Sequence, residues 1–291
     1  MRRFRVSALI YIYALASVLI SANAVANAAA DQIRVIESKS GGRIGVVAMD
    51  TKSNQRIAYR PNERFPMCST FKLLAVGAVL QRVDQRKEKL DRFVAYTNKD
   101  ILEYAPVTKQ HLSEGGMTLQ ALCQAAIEQS DNTAANLILQ TIGGPNAVTQ
   151  FARSIGDNVT RLDRMEPELN DVRPNDDRDT TTPAAMCEDM RRLLKSDLLS
   201  MESRNRLNRW LEHNETGTAM IRAGTPVGWR VGDKTGRCRS GIINDIAVMR
   251  PPAGAPIFVA IYSAGLAGSD ATRSPVLASI AKIVTSTLRK D

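Results

Sequence analysis

Three short motifs, Ser69-Thr70-Phe71-Lys72, Ser130-Asp131-Asn132 and Lys234-Thr235-Gly236, follow one another along the chain and offer a nucleophile, a base and further polar partners. A serine hydroxyl is a poor nucleophile at neutral pH and needs a base within hydrogen-bond reach. The spacing Ser-x-x-Lys puts both side chains on one helix face, a turn apart, and the positive N-terminal end of that helix favours a neutral amine. Lys72 is therefore the candidate base for Ser69. The two histidines, His111 and His213, stand beside no Gly-x-Ser-x-Gly turn, which argues against a Ser-His-Asp triad.

At average residue frequencies about one Ser-x-x-Lys arises by chance in a chain of this length. Ser279-Ile280-Ala281-Lys282 is such a second match, in a C-terminal stretch with helical apolar spacing, and reads as surface chemistry without function. The first match differs in context: it follows Pro66 and Met67 and opens an apolar run from Phe71 to Leu80, so its serine falls at a helix N-terminus. Ser-Asp-Asn arises by chance in roughly one chain in twenty of this size and Lys-Thr-Gly is similarly uncommon. All three in order outweigh coincidence.

A fourth segment, Arg164-Met165-Glu166-Pro167-Glu168-Leu169-Asn170, adds a carboxylate and an amide four residues apart. Alone, Glu-x-x-x-Asn is usually an exposed acidic loop. Beside a serine nucleophile, Glu166 and Asn170 suit the holding and deprotonation of one water, which hydrolysis of an acyl-enzyme requires. The motif set resembles the serine penicillin-recognising enzymes, and the fourth segment is similar to the omega-loop signature of class A β-lactamases. Tyr104, the run from Met117 to Asn136, Thr216-Gly217 and Asn244-Asp245 fall in register with that family.

The resemblance implies roles for these positions. Ser69 is the acylated nucleophile, Lys72 and Glu166 share general-base duty, and Ser130 relays a proton to the departing lactam nitrogen. Asn132 holds the substrate side-chain amide, with Tyr104, Asn170 and Gly236 also at the binding site, and Lys234 and Thr235 bind the substrate carboxylate. The backbone N–H groups of Ser69 and Arg237 meet the oxyanion. Arg164 and Asp179 form the ion pair closing the omega loop. No metal or organic cofactor is implied, and the chain offers no histidine pair or Cys-x-x-Cys with zinc spacing.

The chain departs from the family at the arginine that reinforces carboxylate binding. Met220 and Ile243 occupy the usual places, so that role passes either to Arg237 or to Arg273. Arg237 itself replaces the small residue relatives carry there, and its alternative is a solvated charge on a strand edge. Four cysteines in an exported chain permit three complete pairings. By the resemblance, Cys68 and Cys238 face each other across the active site and form the disulfide found in class A carbapenemases, a bridge also present in relatives without strong carbapenem turnover. Cys123 and Cys187 are expected as buried free thiols.

With 291 residues, 44% of them hydrophobic, the chain supports a sizeable core. Three arginines, an apolar stretch from Val6 to about Ile20 and Ala-Asn-Ala at 26–28 read as a secretory signal peptide over 1–28, too short for a membrane span. Its removal lowers the formal charge from +9 to +6, since it holds three arginines and no acids. The basic residues are scattered and not interleaved with aromatics, which argues against nucleic-acid binding, while a positive field favours anionic substrates. The expected partners are small-molecule β-lactams, with no stable membrane partner, in a periplasmic or secreted monomer.

Strand-like runs fall at 44–49, 56–59, 231–232, 243–249 and 257–262, and helical spacing at 70–85, 118–127, 132–142, 183–195 and 275–288. The mixed-sign run 82–89 reads as a solvated helix face. The expected fold is α/β of the α+β type: an antiparallel five-stranded sheet flanked by helices, built from 29–60 and 215–291, and a mainly helical lobe over 61–214 with the omega loop at 164–179. The site is expected at the seam. The function read from this pattern is hydrolysis of the amide bond of penicillins and cephalosporins, with carbapenems a candidate third class. The alternatives are a D-alanyl-D-alanine peptidase and a penicillin sensor that stays acylated, and Glu166 with Asn170 argues against both.

Overall fold

The computed structural model describes residues 25–289. The leader expected over 1–28 thus lies outside the described residues, save 25–28, which open helix α1 over 25–40. Then come β1 (Arg43–Asp50), β2 (Arg56–Tyr59), a two-residue β3 (Phe65–Pro66), α2 (Phe71–Asp84), and β4 (Phe93–Ala95) paired with β5 (Gly116–Thr118). Three helices follow, α3 (Leu119–Glu128), α4 (Asn132–Ile142) and α5 (Pro145–Ser154), and β6 (Thr180–Thr181) returns to pair with β3. Helices α6 (Pro183–Lys195), α7 (Met201–Glu212) and α8 (Ile221–Gly224) lead to β7 (Arg230–Cys238), β8 (Ile242–Arg250), β9 (Ile257–Ala264) and α9 (Asp270–Leu288).

The two ends of the chain share one antiparallel sheet in the order β2-β1-β9-β8-β7. Its inner strands β1, β9 and β8 are mostly apolar and buried because both faces are covered there, and the two-residue period sorts their side chains. Ile243, Ala247 and Met249 of β8, with Val259 and Ile261 of β9, join Leu277, Ile280 and Val284 of α9 and Ile33 of α1 in one core. Ile246, Val248, Phe258, Ala260 and Tyr262 point the other way, into a larger core with α2, α3, α4 and α6. Helix α2 is buried continuously from Phe71 to Leu80, so it is a central helix with no solvent face over those residues. Ser69 stands at its head.

All five expected strands form, and the C-terminal helix lies on the sheet as expected. β7 runs far past 231–232, to Cys238, because pairing with β8 from Arg230↔Arg250 to Cys238↔Ile242 overrides the weak strand propensity of its glycines and charges. α9 starts five residues before Pro275, at Asp270, where the Ser269 N–H donates to Thr272 Oγ1. The run 82–89 is not one helix face: α2 stops at Asp84, and Arg86 turns the chain with φ +59°. Helix α5 uses Pro145 as its first residue, and charge-rich α7 packs through Leu207, Trp210 and Leu211.

Phe65 is fully buried where β3 meets the sheet. Arg43 lies over its ring at 4.3 Å and Tyr262 at 6.2 Å between centroids. Gly45 has no room for a Cβ, which would fall 2.5 Å from that ring. Phe65→Ala is therefore expected to lower stability by about 3–5 kcal/mol in chemical denaturation; a loss under about 1 kcal/mol would show that the junction closes over the cavity.

Candidate active site

Ser69 sits in a single 3-10 turn, Cys68–Thr70, that runs into α2. One turn on, Lys72 is buried, its side chain 1% exposed, and its Nζ lies 3.0 Å from Ser69 Oγ. Four other oxygens surround that nitrogen: Asn132 Oδ1 at 2.7 Å, Ser130 O at 2.8 Å, Ser130 Oγ at 3.3 Å and Glu166 Oε1 at 3.3 Å. An ammonium has three protons for these five neighbours. Burial pushes the Lys72 pKa down, and the Glu166 charge opposes it.

The Ser130-Asp131-Asn132 motif bridges α3 and α4. Ser130 adopts φ +58°, a sparsely populated region for a residue with a Cβ. Asp131 holds it there. Its fully buried carboxylate caps α4 through the Ala134 N–H at 2.8 Å and accepts from the Val107 and Thr108 N–H groups at 3.0 and 2.9 Å. The Asn132 N–H donates to Tyr104 O at 3.0 Å, and the half-exposed Tyr104 hydroxyl donates to Gln129 O at 3.2 Å.

Glu166 is held by its backbone from α4: Asn136 Nδ2 donates to Glu166 O at 2.7 Å and the Glu166 N–H donates to Asn136 Oδ1 at 2.9 Å. Asn132 and Asn136, one turn apart, thus serve the serine side and the glutamate side from one helix face. Glu166 Oε1 is 3.4 Å from Ser69 Oγ, and Asn170 Nδ2 donates to Oε2 at 2.5 Å. The neck of the 164–179 loop closes on Asp179, which is buried with φ +57°. Its carboxylate accepts from Arg164 Nε at 2.6 Å and from the Asp163 and Arg164 N–H groups at 2.7 and 3.0 Å. Asp179 O also accepts from the Met67 N–H at 2.9 Å, tying the loop neck to the turn that carries Ser69.

β7 supplies the opposite wall. Lys234 is fully buried, and its Nζ donates to Ser130 Oγ at 3.1 Å and Thr235 O at 3.0 Å. Burial first, then the Lys72 charge, pushes its pKa down to about 7, against the pull of Asp233 and Asp245. Thr235 and Thr216 join hydroxyls at 2.5 Å. Gly236 lets the strand lie against the serine turn, since a Cβ there would fall 2.6 Å from Met67 O. Asn244 Nδ2 on β8 steadies the same turn by donating to Pro66 O at 2.8 Å. Cys68 and Cys238 form a disulfide across this contact, whereas Cys123 and Cys187 are buried free thiols.

Ser69, Tyr104, Ser130, Asn132, Asn170, Thr216, Thr235 and Arg237 line one cleft of about 300 Å³, with Lys72, Glu166 and Lys234 behind them. Met220 and Ile243 are core residues of the sheet. The second Ser-x-x-Lys pair, Ser279 and Lys282, is exposed on α9. Sequence reasoning assigned no role to Asp131, Asn136 or Asn244. Two signals were available: Asn136, spaced one helical turn from Asn132, and Asp131, a capping residue type directly before a helical run.

The model of the β-lactamase enzyme family matches residues 28–288. The chain is 45% identical over 262 residues to β-lactamase CTX-M-8 of Citrobacter amalonaticus, covering 90% of each. It is 47% identical over 250 residues to β-lactamase OXY-2 of Klebsiella oxytoca, covering 86% of each. Among solved structures, the class A β-lactamase of the last common ancestor of Gram-negative bacteria superposes with a TM-score of 0.88 at 53% identity, over 90% of this chain and 100% of that one. The putative class A β-lactamase PenP of Rhodopseudomonas palustris gives 0.87 at 49%, over 89% and 99%.

Replacing the buried Asp179 carboxylate leaves the partly buried Arg164 guanidinium with a neutral partner. Asp179→Asn is expected to cost about 3–5 kcal/mol locally. The readout is amide hydrogen exchange, which should quicken across 163–179 while the β8 and β9 amides stay protected. Unchanged exchange in the loop would mean that the backbone bonds alone hold its neck.

Proposed function

The chain belongs to the β-lactamase enzyme family, as a class A enzyme that hydrolyses β-lactams, and we propose that it opens the lactam of penicillins and cephalosporins through an ester on Ser69. The observation that carries this reading is the position of the Glu166 carboxylate, 3.4 Å from Ser69 Oγ and 3.3 Å from Lys72 Nζ. A sensor that stays acylated has no use for a carboxylate placed to activate a water beside that ester.

In the acylation step Ser69 Oγ attacks the lactam carbonyl carbon and its proton passes to Lys72. Asn132 Oδ1 and Ser130 O accept hydrogen bonds and cannot donate them, so a neutral Lys72 spends both N–H bonds there and turns its lone pair to the serine. The lowered Lys72 pKa supports the neutral amine. The backbone N–H groups of Ser69 and Arg237 receive the oxyanion. When the C–N bond breaks, Ser130, between Lys72 and Lys234, gives its proton to the departing nitrogen and is reprotonated from Lys72.

In deacylation a water held by Glu166 and Asn170 loses its proton to Glu166, adds to the ester carbonyl and releases the acid, the proton returning to Ser69 Oγ. Lys234, Thr235 and Arg237 take the substrate carboxylate, and Asn132 and Tyr104 the side chain. The same reading makes 1–28 an export signal and the mature enzyme periplasmic or secreted.

Glu166→Gln is expected to acylate and stall, so intact mass during turnover of benzylpenicillin should show a lasting adduct on Ser69; full turnover without one would remove Glu166 from deacylation. Lys234 must be charged to bind a carboxylate; its pKa is lowered to about 7 while Lys72 is also charged, and a neutral Lys72 removes that repulsion, so its proton is lost at or above about 7. Since kcat/KM follows the free enzyme, it should fall on the alkaline side from that region. Lys234→Arg keeps its charge and should move that limb to higher pH; an unmoved limb would assign the titration to another group.

A further inference from the structure

The fold separates the two arginines that the sequence offers for the substrate carboxylate. Arg237 lines the cleft, but Arg273 does not: its Nε donates to Leu266 O at 3.0 Å and its side chain is only 19% exposed. Asp270, the first residue of α9, stands between them. One of its carboxylate oxygens is 3.4 Å from Arg237 Nε, and the other is 3.3 Å from Arg273 Nη1. On its far side the Arg237 guanidinium donates from Nη2 to Thr216 O at 3.2 Å. These residues form a chain from Leu266 O through Arg273, Asp270 and Arg237 to Thr216 O, with the cleft at one link.

We propose that Asp270 is a positioning residue for substrate recognition, holding the Arg237 guanidinium at the mouth of the cleft while Arg273 holds Asp270. The proposal rests on the reading of Arg237 as a carboxylate ligand. Arg237 sits near the end of β7 with its side chain 37% exposed, so without a partner it is free to sweep into solvent. Asp270 is fixed independently: it lies in the first turn of α9, where the helix dipole favours an anion, and Arg273 is tied to the backbone behind it. Thr216 O takes one of the five guanidinium N–H bonds and Asp270 faces Nε as an ion-pair partner, so at least three stay open to a ligand. Ordering the side chain beforehand removes that cost from binding. An ion pair this exposed contributes little to folding, so its effect should appear in kinetics.

The experiment compares Asp270→Ala, Asp270→Glu, Arg237→Ala and the double variant Asp270→Ala/Arg237→Ala with the parent on benzylpenicillin. Asp270→Ala should lower kcat/KM about three- to tenfold with kcat changed less than about twofold, the scale of ordering one long side chain. Thermal stability should stay as in the parent, and Asp270→Glu should recover most of the loss. In the Arg237→Ala background, adding Asp270→Ala should change nothing further. If Arg237→Ala lowers kcat/KM but Asp270→Ala leaves it unchanged or raises it, Asp270 is a spectator or a competing counter-ion and the proposal fails. An equal loss from Asp270→Ala with or without Arg237 overturns it too. If Arg237→Ala itself has no effect, the underlying reading of Arg237 is what fails.

Discussion

Taking the Lys72 amine out of water is the constraint around which the site is organised. A lysine nitrogen with its side chain 1% exposed is tolerated only where polar groups replace its hydration, and here every such group belongs to a residue proposed to act in the reaction. The carbonyl of Ser130, the amide of Asn132, the carboxylate of Glu166 and the hydroxyl of Ser69 all converge on one atom. They arrive from three stretches of chain, so the requirement is met only when α2, the α3–α4 junction and the 164–179 loop are docked together. Burial that lowers the pKa of this amine therefore also makes the site cooperative with the fold.

The scaffold meets this demand by pinning backbone rather than by adding charge. Asp131 binds three backbone N–H groups, Asn136 clasps both sides of the Glu166 peptide, and Asn244 holds the carbonyl before the serine turn. Cys68, Ser130 and Asp179 all have positive φ, and each sits where a reactive side chain or a loop neck must be aimed. Such conformations persist only under surrounding restraint, and those carboxamides and carboxylates provide it.

What the sequence disclosed followed from local rules. Ser-x-x-Lys at the head of an apolar run marked the candidate nucleophile and base and placed the helix beneath them, and β-branched runs located all five strands of the sheet. The residues it left without a role share a different property: Asp131, Asn136 and Asn244 each bind backbone of a distant segment, Asp131 in addition to its local cap on Ala134, and local spacing does not name the distant partner. β7 was underestimated because its glycine and charged residues become strand only through β8. The choice between Arg237 and Arg273 was likewise invisible, since it turns on where α9 begins relative to the end of β7.

The bridge from Cys68 to Cys238 spans 170 residues and closes a covalent ring. Every residue assigned to the chemistry, from Ser69 to Arg237, lies inside that ring. A single cut in an exposed stretch such as 171–178 would therefore yield one molecule still joined at the nucleophile and the opposing strand, not two diffusing halves. The polypeptide is linear in its termini but circular in its active part, so the reactive groups would remain neighbours after a break in the chain between them.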